Sequence, residues 1–97
     1  MIKAKKKYGQ NFLVDKGVIN KIIQAINPNN SEKILEIGPG LGALTTQILN
    51  KIDHINVVEI DPDMIKALQE KIPSTSITIF SSNILEISND SIAEYDK

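Results

Sequence analysis

The chain contains no cysteine, which excludes a disulfide framework and any thiolate metal site. It has one histidine, His54, too few for most zinc sites or for histidine-based acid–base chemistry. It has no arginine: all 11 basic residues are lysine, a bias that, with abundant Ile and Asn, fits genome composition as well as function. No apolar run is long enough to span a bilayer. The lysine-rich start lacks the apolar segment of a secretory signal, so a cytoplasmic protein is expected. A net charge of −1 gives no global sign of a nucleic-acid partner. What is present is 97 residues, 41% of them apolar, enough for one small domain with a core.

The basic residues are unevenly placed. Lys3, Lys5, Lys6 and Lys7 crowd the N-terminus, and residues 1–14 read as a basic, irregular arm ending in Gly9-Gln10-Asn11-Phe12-Leu13. Residues 15–97 read as an α/β unit. Asp15 caps a helix that carries Val18, Ile19, Ile22, Ile23 and Ile26 at spacings of three and four. Asn27-Pro28-Asn29-Asn30 ends it with turn chemistry, and Lys33 to Ile37 reads as the first strand. Leu41, Leu44, Ile48 and Ile52 give the next helix its face. A second apolar run, Ile55 to Val58, lies in a second strand that ends at Glu59-Ile60. Asp61-Pro62 supplies an N-cap acid followed by proline at the first helical position. Met64, Ile65, Leu68 and Ile72 then mark a buried face, and Pro73 stops that helix. Ile77-Thr78-Ile79-Phe80 is a third, β-branched strand. Residues 84–97 have no decisive pattern.

The informative run is Glu36-Ile37-Gly38-Pro39-Gly40-Leu41-Gly42, between the first strand and the helix after it. A strand, a glycine turn and a helix in that order make a nucleotide-binding corner. Glycine there permits positive φ and lets a ligand approach without meeting a Cβ. Glu59, 19 residues past Gly40, ends the second strand where an acid accepts hydrogen bonds from ribose hydroxyls. Ser81-Ser82-Asn83 follow the third strand at its carboxyl end, where open α/β sheets put ligands.

Two cofactors are compatible with this corner. Gly38, Gly40 and Ala43 satisfy the dinucleotide pattern G-x-G-x-x-G/A, which leaves an NAD-binding half-domain open. Two details favour S-adenosylmethionine: the tighter G-x-G-x-G spacing of Gly38, Gly40 and Gly42, and Glu36. That acid is a poor neighbour for pyrophosphate but tolerable beside ammonium and sulfonium groups. Alternatively, Glu36 only caps nearby loop amides.

Lys7-Tyr8-Gly9-Gln10-Asn11-Phe12-Leu13, then Glu36 through Thr45, then Val58-Glu59-Ile60-Asp61, closely resemble the ribosomal RNA adenine N6-dimethyltransferases. The resemblance runs over essentially the whole chain in order and spacing. Macrolide-resistance methyltransferases share the Gln-Asn-Phe-Leu arm, but the Tyr-Gly before it and the Gly-Leu-Gly-Ala-Leu-Thr loop are more similar to the small-subunit enzymes. The resemblance implies a partial Rossmann-like class I methyltransferase fold, its first three parallel strands in the order 3-2-1, truncated before strand 4. It implies dimethylation of two adjacent adenosines of small-subunit rRNA, with S-adenosyl-L-methionine as cofactor. Gln10, Asn11 and Leu13 would then fold over the methionine end, Gly38 and Gly40 would line the methionine and ribose side, and Glu59 would hold the ribose. Ile60 would pack on the adenine face, Asn83 would accept from the adenine amino group, and the Ile84 N–H would meet the ring. The family usually has aspartate where Asn83 stands, and a neutral amide is the weaker acceptor. Lys5, Lys6 and Lys7 fit rRNA phosphates, although Lys3 and Lys5 equally suit a solvated terminus.

One part of the family pattern is missing. The Asn-Leu/Ile-Pro-Tyr or Asn-Pro-Pro-Tyr segment that orients the target adenine does not occur in the 97 residues. The expectation is therefore an N-terminal, cofactor-binding portion that does not transfer methyl groups alone, or a non-catalytic cofactor- and RNA-binding module. Without a fourth strand beside it, Lys33 to Ile37 is expected to present an unpaired apolar edge and to drive self-association.

Overall fold

The computed structural model describes residues 15–97. The Gln10, Asn11 and Leu13 expectations, like those for Lys5, Lys6 and Lys7, lie outside the described residues. Helix α1 (Lys16–Ile26) starts where Asp15 accepts hydrogen bonds from the amides of Gly17 and Val18 at 2.8 and 3.2 Å. It ends at Asn27, whose left-handed φ of 48° is one that asparagine tolerates. Strand β1 (Leu35–Ile37), helix α2 (Ala43–Ile48), strand β2 (Ile55–Glu59), helix α3 (Pro62–Lys71) and strand β3 (Ile77–Ser81) follow. The undecided tail forms a single 3₁₀ turn at Ile84–Glu86 and a short helix α4 (Asn89–Ala93). The cap of α3 is the one the sequence implies: Asp61 accepts from the Asp63 amide at 2.9 Å, with Pro62 in the first turn.

The three strands form one parallel sheet with β2 in the centre, the expected 3-2-1 order. Period-two alternation and the register Glu36↔Val57 and Val57↔Ile79 put Ile34, Glu36, Ile55, Val57, Glu59, Ile77 and Ile79 on one face. Helices cover that face. Ile34, Ile48, Ile52, Ile55, Val57, Leu68, Ile72 and Ile77 form its continuous core, each burial being worth about 1.5–3 kcal/mol. The opposite face carries Leu35, Ile37, Val58 and Phe80. There the tail leaves a cavity of about 420 Å³ between Leu35, Val58 and Phe80 and the side chains of Ile87, Ile92 and Tyr95.

The expected bare edge of β1 needs correction. The Leu35 N–H donates to the Lys97 carbonyl at 2.8 Å, and the Asp96 N–H donates to the Lys33 carbonyl at 2.7 Å. Asp96 also accepts from the Lys33 amide through its carboxylate at 2.7 Å. Lys97 therefore lies beside Ile34 as the start of a parallel pairing, and its Nζ reaches Glu32 at 2.7 Å. The tail covers the N-terminal half of the edge, because buried backbone groups seek partners wherever the chain can supply them. Ile37, at the other end, is half-exposed.

Candidate nucleotide corner at the carboxyl end of the sheet

The glycine turn is built from left-handed backbone. Gly38, Gly40 and Gly42 have φ of 66°, 59° and 85°, values that cost other residues about 1–2 kcal/mol each. The turn closes with the Gly42 N–H on the Pro39 carbonyl at 3.0 Å, and the Gly38 N–H anchors its entry on the Val58 carbonyl at 2.9 Å. The glycines have different jobs. Among the described residues, a Cβ at Gly38 would meet no atom within 4 Å, so that side of the turn is open with respect to them. A Cβ at Gly42 would lie 2.7 Å from Leu68 Cδ2, so Gly42 serves the packing of α3 under the turn. Its place in the G-x-G-x-G spacing reflects that packing.

The two acids share the helix-covered face and flank the turn. Glu59 is buried, 7% exposed, and its carboxylate lies among backbone amides. Oε2 accepts from the N–H groups of Ile60 and Asp61, both at 3.0 Å, and Oε1 accepts from the Gly40 N–H at 3.4 Å. Glu59 thus joins the end of β2 to the middle of the glycine turn. Glu36 accepts a short hydrogen bond from the Thr45 hydroxyl in the first turn of α2. Burial pushes its carboxyl above the ordinary glutamate range, and the Thr45 hydrogen bond partly opposes that rise. Thr45 is itself fully buried. Sequence reading gave it no role of its own; the signal was its spacing of nine from Glu36, across a turn that folds back on its strand.

Ile60 follows Glu59 and is 61% exposed, an apolar surface beside two buried acids. β2 and β3 end level, Glu59 opposite Ser81, and the Ser82 N–H donates to the Glu59 carbonyl at 3.3 Å. Asn83 therefore sits on the same rim as Glu59 and Ile60. Its Oδ1 accepts from the Leu85 N–H at 3.0 Å, which starts the 3₁₀ turn containing Ile84 and leaves one carbonyl lone pair and the amide N–H₂. The structure thus brings Glu36, Gly38, Gly40, Glu59, Ile60, Asn83 and Ile84 to one end of the sheet. His54 lies at the opposite end, between the Thr75 carbonyl and the Thr78 hydroxyl. No helix among the described residues is long and apolar enough to cross a membrane.

Known proteins resemble this chain in sequence and in fold. The family described as "Ribosomal RNA adenine dimethylase" matches residues 1–96. A relative from Methylobacillus flagellatus, "Ribosomal RNA small subunit methyltransferase A", is 44% identical over 91 residues, covering 94% of this chain and 36% of the relative. A protein of the same description from Mycoplasma capricolum is 43% identical over 96 residues, 98% of this chain and 36% of the relative. Among solved structures, a dimethyladenosine transferase from Plasmodium falciparum superposes with a TM-score of 0.69 at 25% identity, over 76% of this chain and 28% of that one. The 23S rRNA methyltransferase ErmE gives 0.67 at 28% identity, over 76% and 31%. The chain thus spans about a third of the length of these relatives. With a match that takes in nearly every residue, 1–96 of 97, the chain belongs to the ribosomal RNA adenine dimethylase family.

Proposed function

We propose that these residues form the cofactor-binding wall of an S-adenosylmethionine-dependent rRNA adenine N6-dimethyltransferase acting on small-subunit rRNA in the cytoplasm. The observation that carries the reading is the Glu59 carboxylate, buried at the end of β2 and in reach of the glycine turn. An ionised carboxylate offers about four lone-pair sites, and three N–H groups occupy it here. The long bond from Gly40 is the one a ribose hydroxyl would replace. Ile60 offers an apolar surface to an adenine ring, Asn83 its remaining carbonyl lone pair to the adenine amino group, and Ile84 its N–H to the ring. The open side of Gly38 admits the ribose and methionine portion, and Glu36 suits its cationic groups.

S-adenosylmethionine supplies an electrophilic methyl group. The chain's own contribution is to bind and orient that donor, the positioning share of catalysis. The arm residues Gln10, Asn11 and Leu13 complete the methionine side in this reading, and Lys5, Lys6 and Lys7 meet rRNA phosphates. The Asn-Leu/Ile-Pro-Tyr segment does not occur in the 97 residues, so orienting the target base is assigned to other residues of such an enzyme. Self-association of the chain is proposed only through the β1 edge near Ile37, since the tail occupies the Leu35 end.

Calorimetric titration with S-adenosylmethionine and with NAD tests the cofactor. Saturable binding of the first alone supports the reading; binding of NAD alone replaces it with a dinucleotide half-domain. Methyl incorporation into immature small subunits separates an enzyme from a non-catalytic cofactor- and RNA-binding module.

A further inference from the structure

The glycine turn is gripped from a second side, by α3. Lys71, in the last turn of α3, donates from Nζ to the Leu41 carbonyl at 2.9 Å. Leu68, three residues earlier and so on the same face of the helix, packs directly against Gly42. The Leu41 carbonyl and the Gly42 N–H belong to one planar trans peptide. Lys71 holds the oxygen of that peptide and the Pro39 carbonyl holds its hydrogen at 3.0 Å. Glu59, on the strand leading into α3, holds the neighbouring Gly40 N–H. The Pro39–Gly40 and Leu41–Gly42 peptides of the turn are therefore both oriented by the β2–α3 unit.

We propose that Lys71 is a positioning residue for cofactor binding, an inference that rests on the cofactor reading above. A turn that approaches its ligand through backbone groups binds more tightly when its peptide planes are preset, because less binding energy goes to ordering them. Lys71 presets the Leu41–Gly42 plane by fixing its oxygen, and Leu68 keeps the plane from sinking toward α3. The competing role for a lysine in the last turn of a helix is to offset the negative end of that helix's own dipole.

The experiment compares wild-type chain with Lys71→Met, which keeps the apolar stem, and Lys71→Arg, which keeps the donor. Hydrogen exchange is followed at Gly40, Gly42 and the α3 terminus, and S-adenosylmethionine affinity by calorimetry. The expected result is Gly42 exchange about two- to fivefold faster in Lys71→Met, affinity lower by a similar factor for an exposed charged hydrogen bond, and recovery of both in Lys71→Arg. Faster exchange confined to Lys71 and Ile72 assigns the lysine to its own helix and overturns the proposal. So does unchanged affinity in Lys71→Met when the wild type binds. If the wild type binds no S-adenosylmethionine, the cofactor reading falls, and Gly42 exchange still decides the role of Lys71: acceleration sustains the grip on the turn and no change overturns it.

Discussion

Gly40 donates its N–H to the carboxylate of Glu59 at 3.4 Å, across 19 residues of chain. That bond ties two features that sequence reading treats as separate, a glycine turn and a strand-end acid. Glu59→Gln keeps the shape but removes the charge and turns one acceptor oxygen into a donor facing amide N–H groups. Hydrogen bonds to charged groups are worth about 1.5–3 kcal/mol, so S-adenosylmethionine affinity is expected to fall at least tenfold. Calorimetry checks this, and equal affinity in the variant would remove Glu59 from the ribose site.

Glu36 gives a pH signature. Its folded-state pKa is raised, chiefly by burial, above an unfolded value of about 4.3. A raised carboxyl contributes its full stability below the unfolded value and loses it as pH rises through the folded value. Wild type should therefore lose stability relative to Glu36→Gln as pH rises from the unfolded value of about 4.3 to the raised folded value, and level off above it. Paired urea melts across that window test it; a constant difference contradicts the assignment. Ligand affinity should move the other way, weaker in the Gln variant, because the amide lacks the charge that attracts a cationic ligand.

Gly42 and Gly38 should separate stability from binding. Gly42→Ala meets Leu68 at 2.7 Å as well as unfavourable φ, so urea unfolding should show a loss of about 2–4 kcal/mol, combining strain and overpacking. Gly38→Ala meets no atom of the described residues and should cost only about 1–2 kcal/mol for its φ, while its methyl group blocks the ligand side. Equal loss of stability in the two variants would show that α3 does not constrain the turn.

Asn83→Asp restores a charged acceptor on the rim while keeping the bond to the Leu85 N–H. Cofactor affinity is expected to rise severalfold, in line with the greater strength of charge-assisted hydrogen bonds. If titrations of the two forms coincide, Asn83 serves only the strand-end turn.

The β1 edge yields a concentration-dependent outcome. Self-association through Ile37 should appear by sedimentation at high micromolar protein and vanish in Ile37→Lys, since a charge blunts an open edge. A monomer at every concentration would show that the tail pairing at Leu35 protects the edge sufficiently.

Much of this protein is legible without its structure because the signals are local. Asp15, Asn27 and the Asp61-Pro62 pair start or stop helices through bonds spanning two to four residues. The glycines at 38, 40 and 42 each take a left-handed φ that disfavours other residues, and β-branched runs mark the strands. Spacing also places Glu59 at the end of β2, as expected. Other features come from residues distant in sequence, and only tertiary structure decided them. The tail turning back to pair Lys97 with the β1 edge joins positions more than 60 apart, and residues 84–97 carry no periodicity that foretells it. Leu68 against Gly42 and Lys71 on Leu41 arise because parallel strands bring successive βα units side by side, whereas Thr45 reaches Glu36 within one unit, across the turn. Residue type and spacing determined the turn and the acid that flanks it. Packing of α3 beneath them decided which glycine faces open space and which faces the core, since that depends on a neighbouring helix rather than on the turn itself.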